Sequence, residues 1–159
     1  MRTAVIVYSL TGNTRRVAEA VAARMGAEVS AIVAPGVRPG FLSIFRWGMA
    51  TLLRLPTPVS LTGPGATGSD VAILAAPVWA GRIAVPMRCW LAQNPVLPTR
   101  LGLILTGGAP AQSSLPFDDF AKAARAVPVA KLYISAKAAA GTIDPALIEA
   151  FCADLLRQS

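Results

Sequence analysis

The 159 residues, 54% of them hydrophobic, predict a single domain over 1–159 that buries about two thirds of its unfolded surface. Fifteen Lys and Arg against eight Asp and Glu give a net charge of +7, but the charges are scattered singly and no basic run is interleaved with aromatics, which argues against nucleic acid as a partner. Histidine is absent, which removes imidazole as base or ligand, and Cys89 and Cys152 stand far apart in helical-looking segments, predicting buried side chains rather than a disulfide or a metal site.

The chain opens with an apolar run, Ala4 to Tyr8, that breaks into Ser9-Leu10-Thr11-Gly12-Asn13-Thr14 and then into Val17, Ala18, Val21, Ala22 and Met25 at one-face helical spacing. Strand, polar loop and helix follow from that pattern, with Gly26 ending the helix. N–H groups at a helix start are unpaired and partly positive, so a loop with three hydroxyls, an amide and a glycine there suits a phosphate. The plainer alternative is a turn whose Thr and Asn only cap the helix. Arg15 and Arg16 fall in the first turn, where the helix dipole disfavours cations, and a phosphate bound ahead of them would reverse that local field.

Glu28–Val33 predicts a second strand. Asp70–Ala76 is a continuous apolar run of the kind buried on both faces of a parallel sheet, and it breaks at Pro77-Val78-Trp79-Ala80-Gly81. A helix is expected from about Ala84 to Gln93, with Pro86 in its first turn, and then a fourth strand, Leu101–Thr106, broken by Gly107-Gly108-Ala109-Pro110. Pro116, Phe117, Phe120 and Ala124 begin another helix whose first turn carries Asp118 and Asp119; Val129–Ser135 is the fifth strand, and Asp144-Pro145 caps a last helix. Alternation at this spacing means an α/β chain with a parallel sheet covered on both sides.

Three strands therefore end in loops of small or hydroxyl residues on one sheet edge, the edge where open α/β sheets bind ligands. The first loop has the form S/T-x-T-G-x-T, and with Pro77-Val78-Trp79 and Thr106-Gly107-Gly108 after the other two strands the chain resembles the flavodoxin-like family over nearly its whole length. That resemblance implies a three-layer, doubly wound, five-stranded parallel sheet in the order 2-1-3-4-5 and non-covalently bound flavin mononucleotide (FMN). Ser9, Leu10, Thr11, Gly12, Asn13 and Thr14 would hold the phosphate. Pro77, Val78, Trp79, Ala80 and Gly81 would meet the ring, with Trp79 stacked on one face, and Thr106, Gly107 and Gly108 would meet its pyrimidine edge. The competing reading makes Trp79 a core filler and Gly107-Gly108 only a turn. No side chain is assigned a catalytic role, since the flavin carries the chemistry.

Two departures shape the expected activity. Electron-carrying flavodoxins are typically acidic and commonly cover the second ring face with an aromatic from the third loop, whereas this chain is basic and carries no aromatic there before Phe117. An open ring face suits a reductase that passes electrons from a reduced nicotinamide or a protein donor to a quinone or similar small acceptor. The alternatives are an electron carrier with no substrate of its own and a flavin-free binding relic.

Residues 35–68 are the least family-like stretch. Within them, 41–54 has a helical polar stripe of Ser43, Arg46, Ala50, Thr51 and Arg54 opposite a large apolar arc with Phe41, Leu42, Ile44, Phe45 and Leu52. That arc is expected to dock on the chain's own body, the alternatives being a homodimer face, an apolar substrate pocket, or shallow insertion into a membrane surface. With no signal peptide or ~20-residue apolar span apparent, a cytoplasmic location is expected.

Overall fold

The computed structural model describes residues 1–108 and 114–157, with the side chain of Ile44 also outside the description. The elements are β1 (Thr3–Val7), α1 (Asn13–Met25), β2 (Glu28–Val33), α2 (Phe41–Leu52), β3 (Ser60–Thr62), β4 (Val71–Trp79), β5 (Arg82–Ile83), α3 (Val85–Ala92), β6 (Arg100–Gly107), α4 (Leu115–Ala124), β7 (Ala130–Ser135), α5 (Ala136–Ala140) and α6 (Pro145–Arg157). Among the described residues no helix is long and apolar enough to cross a membrane.

The sheet runs β3-β2-β1-β4-β6-β7. Its five parallel strands, β2, β1, β4, β6 and β7, give the doubly wound core, but the expected five-stranded, all-parallel sheet needs two corrections. A short strand from the 35–68 segment, β3, pairs antiparallel with β2 and covers an edge that would otherwise be open, and β5 folds back antiparallel on the end of β4. The middle strand β4 is buried from Val71 to Ala76, as its unbroken apolar run predicts.

Two apolar layers flank the sheet. One joins α1 and α6 to the sheet through Val17, Val21, Ile148, Phe151 and Leu155, and the other joins α2, α3 and α4 through Trp47, Met87, Trp90 and Phe120. Gly102 in β6 sets how closely α6 approaches, because a Cβ there would stand 2.7 Å from Phe151 Cζ. Cys89 on α3 and Cys152 on α6 lie on opposite faces of the sheet and are free; Cys152 is buried, while Cys89 is only half-buried and its Sγ accepts the Thr57 N–H at 3.3 Å.

The α2 segment overturns the expectation of internal docking. Its buried face is Trp47, Ala50 and Thr51, and the arc of Phe41, Leu42, Phe45 and Leu52 is exposed. The reason is steric: two small residues one turn from Trp47 let the backbone lie close to the body while the indole fills the gap, and a face of Phe and Leu is too bulky for that approach. Sequence reading also missed α5, whose N-cap is Ser135, its Oγ accepting the Ala138 N–H at 3.2 Å.

Candidate functional site

The site begins with the turn from β1 to α1. Gly12 is the N-cap of α1 at φ 92°, a left-handed conformation that side chains other than glycine seldom adopt, and the space its Cβ would enter is clear of heavy atoms within 4 Å. Ser9 Oγ accepts the Gly12 N–H at 3.1 Å and so shapes the loop from within. No side chain caps α1 and no acidic residue occupies its first turn, which leaves the plainer reading of a merely capped helix without support. The first helical N–H groups, those of Asn13 and Thr14 among them, keep their partial positive charge for a ligand.

Asn13 and Thr14 line a cavity of about 160 Å³ together with Leu10, Thr11, Pro77, Val78, Trp79, Thr106, Gly107, Gly108 and Ala136. The parallel register places these residues at the carboxyl ends of β1, β4, β6 and β7. Ten of the fourteen residues expected at the site therefore meet in one hollow: Ser9 and Gly12 belong to the same β1–α1 turn but do not line it, and Ala80 and Gly81 form the exposed tip of the β4–β5 hairpin. Ala136, the first residue of α5, is an addition to the expected set, because the sequence analysis assigns no element between Ser135 and Asp144. Residues 109–111, the rest of the expected third loop, lie outside the described residues.

Several of these residues belong to regular elements rather than loops. Pro77, Val78 and Trp79 extend β4, with Val78 and Trp79 paired to Ile83 and Arg82. Ala80 at φ 49° and Gly81 at φ 74° make a two-residue turn with both central residues left-handed, the geometry that joins twisted antiparallel strands. Holding a non-glycine residue there costs on the order of 1 kcal/mol, so the hairpin must be fixed from elsewhere. Asp119 fixes it: its carboxylate accepts the Ile83 N–H at 3.1 Å and pairs with Arg82 and Arg88, each at 3.1 Å. Sequence reading placed Asp119 in the first turn of its helix for the dipole. It lies one residue beyond that turn and is buried as a clamp between α4, α3 and the hairpin.

Trp79 is half-buried and meets the buried Tyr8 edge to face, with centroids 5.7 Å apart and planes at 86°. Burial pushes the Tyr8 phenol well above the ordinary tyrosine range, so Tyr8 stays neutral and acts as a rigid wall that sets the indole plane. On the other side, the Thr14 and Thr106 hydroxyls are 2.7 Å apart and buried, joining the first helix to the third strand end. Their mutual bond uses one of two hydroxyl protons, and the other has no further partner among the described residues. Behind Gly107 stands Tyr133, whose hydroxyl would be 2.7 Å from any Cβ added there.

The arginines of α1 are engaged elsewhere. Arg15 pairs with Glu19 at 2.7 Å, and Arg16 donates to the carbonyls of Ala139 at 2.5 Å and Gly141 at 2.9 Å, tying α1 to the end of α5. In this arrangement these local partners offset the unfavourable dipole at both arginines.

A larger hollow of about 490 Å³ lies at the opposite sheet edge, between the ends of α3 and α4. Arg125 is the only ionisable side chain among its lining residues. The smaller cavity brings together a helix start, spare hydroxyl hydrogen bonding and a positioned aromatic ring. At about 160 Å³ it falls below the roughly 300–1,000 Å³ of pockets that enclose a ligand, so a molecule the size of a flavin nucleotide would lie partly exposed.

No protein-family model matches the chain, and no curated protein is matched by it in sequence. Solved structures match it closely in shape. A flavoprotein of Lactobacillus acidophilus in complex with FMN superposes with a TM-score of 0.67 at 17% identity, over 86% of this chain and 94% of that one. An NADH:FMN oxidoreductase in its apo form gives a TM-score of 0.58 at 19% identity, over 100% and 91% of the two chains. The Trp repressor binding protein of Bacillus subtilis gives 0.54 at 14% identity over 97% of both. Identities this low speak for architecture alone, and on that ground the chain has the flavodoxin-like fold.

Proposed function

We propose that the protein binds FMN and works as an FMN-dependent oxidoreductase, taking electrons from a reduced nicotinamide or a protein donor and passing them to a quinone or similar small acceptor. The observation that carries this reading is the uncapped start of α1, with Gly12 left-handed and open in front, opposite the Thr14–Thr106 pair and the partly exposed Trp79. These residues fit the cofactor by the chemistry of their donors. Asn13 and Thr14 N–H groups and the Thr11 hydroxyl would hold the phosphate, and Trp79, held by Tyr8, would cover one ring face. Bound there, the flavin supplies the two-electron chemistry. The chain contributes position, a positive helix end that favours the phosphate, and a half-open hollow that admits a small acceptor. Similarity in shape to an FMN-bound flavoprotein and to an NADH:FMN oxidoreductase supports the same reading.

The test is turnover. Protein supplied with FMN should oxidise NADH or NADPH in the presence of a small quinone, and Trp79→Ala should raise the FMN dissociation constant about tenfold, the scale of one aromatic stacking contact. A purified protein that is yellow but inert with every nicotinamide and quinone offered would favour an electron carrier. A colourless protein that takes up no flavin would favour a binding relic.

A further inference from the structure

The outward arc of α2 has no counterpart in the cavity. Phe41 is 87% exposed and Phe45 71% exposed, and Leu42, Met49, Leu52, Leu53 and Leu55 continue the same surface past the end of the helix. By side-chain size this is on the order of 700 Å² of apolar surface in one place, above what a monomer usually leaves uncovered. The helix lies against β4, β5 and α3, beside the hairpin that carries Trp79.

Charge decides what covers it. From Val29 to Ser69 the chain has three arginines, Arg38, Arg46 and Arg54, and no Asp or Glu. Arg38 and Arg46 are exposed, and the helical period places Arg46 at the rim of the apolar arc. At the C-terminal end of α2 lies a hollow of about 220 Å³ lined by Arg54, Arg88, Lys122 and Arg125, with Asp119 as its one carboxylate. Asp119 is already shared among Arg54, Arg82 and Arg88, so the hollow keeps a positive excess beside the exposed Leu52 and Leu53. A second copy of the chain would bring arginine against arginine with no acid in either segment to separate them. An apolar helix face with a cationic rim and a cationic hollow at its end matches acyl chains beneath anionic headgroups.

We infer that α2 docks the protein on an anionic lipid surface. The helix lies in the plane of the interface, with Phe41, Leu42, Phe45, Met49 and Leu52 at the acyl boundary. Arg38, Arg46 and the Arg54 hollow face the headgroups. This stands apart from the flavin reading and holds with or without cofactor.

The experiment is co-sedimentation of the full chain with two kinds of vesicle, phosphatidylcholine alone and two parts phosphatidylcholine to one part phosphatidylglycerol. Binding should be roughly tenfold or more tighter on the anionic vesicles and should weaken as salt rises. Leu42→Glu with Phe45→Glu should abolish it, and Arg38→Glu with Arg46→Glu should remove the preference for anionic lipid; all four side chains face solvent, so unchanged melting curves certify the fold of both variants. Equal or absent binding to the two vesicles, or a Leu42→Glu/Phe45→Glu variant that binds as wild type does, overturns the inference. So does a dimer in sedimentation velocity that this variant dissolves while neither form binds lipid, since the face would then join copies of the chain.

Discussion

Helices α1 and α2 both read as amphipathic in sequence, and they sit in the protein the opposite way round. In α1 the apolar stripe Val17, Ala18, Val21 and Ala22 is the buried face, as its spacing predicts. In α2 the apolar arc points outward and the buried face is one tryptophan between small residues. A helical period says which side chains share a face. It does not say which face has room to pack. For α1 the two questions have one answer because the helix crosses between parallel neighbours β1 and β2 and is pressed on the sheet along its length. For α2, outside the doubly wound core, close approach favoured small residues over large ones.

The largest expected effects come from reversing the two faces. Val21→Asp, at a fully buried position of α1, should cost about 3 kcal/mol or more by leaving a carboxylate without a partner. Trp47→Ala, on the true buried face of α2, should cost about 3–5 kcal/mol. Phe45→Asp, two residues away on the exposed arc, should stay within about 0.5 kcal/mol of wild type. Urea unfolding of the three variants measures this directly. A Phe45→Asp loss as large as that of Trp47→Ala would mean that the arc is buried after all.

Asp119→Ala comes next, and it sharpens the contrast between a helix that carries the site and one that only adjoins it. Removing the carboxylate strands Arg82 and Arg88 and frees the hairpin, a loss of about 3–5 kcal/mol if the cluster is fully desolvated and less where water reaches the arginines. Trp79 fluorescence should change with it, measured in a Trp47→Phe, Trp90→Phe background. An unaltered signal would show that the hairpin is held by something else.

The smallest effect is alkaline. Burial raises the phenols of Tyr8 and Tyr133 above 10.0 and the Cys152 thiol above 9.0. The unfolded chain loses these protons at the ordinary values while the folded chain retains them, so stability is whole below about pH 9 and falls as pH rises above it. Tyr8→Phe should flatten that fall in thermal melts taken from pH 9 to 11; a slope equal to wild type would mean that Tyr8 ionises as freely folded as unfolded.

The sequence made the doubly wound core and most of the candidate site legible for one reason. Both depend on local pattern: continuous apolar runs for β1, β4 and β6, and small or hydroxyl residues at their carboxyl ends. What stayed hidden depends on contacts between distant residues. The Asp119 clamp reaches across 36 positions to Ile83, and the pairing of Thr14 with Thr106 spans 92. Neither leaves a periodic trace. The short edge strand β3 was missed because three residues, Ser60–Thr62, are too few to show alternation. Ser135 ahead of an alanine-rich stretch was a readable signal for α5, and reading it would have added Ala136 to the site.

The central claim is that the β1–α1 turn is built for a phosphate, and titration of the purified protein with FMN and with riboflavin tests it most directly. FMN should bind at least about fivefold more tightly than riboflavin, the scale of one net hydrogen bond, and Gly12→Val should erase most of that difference while affecting riboflavin little. Equal affinity for the two flavins in wild-type protein would contradict the claim and leave the turn a structural link between strand and helix.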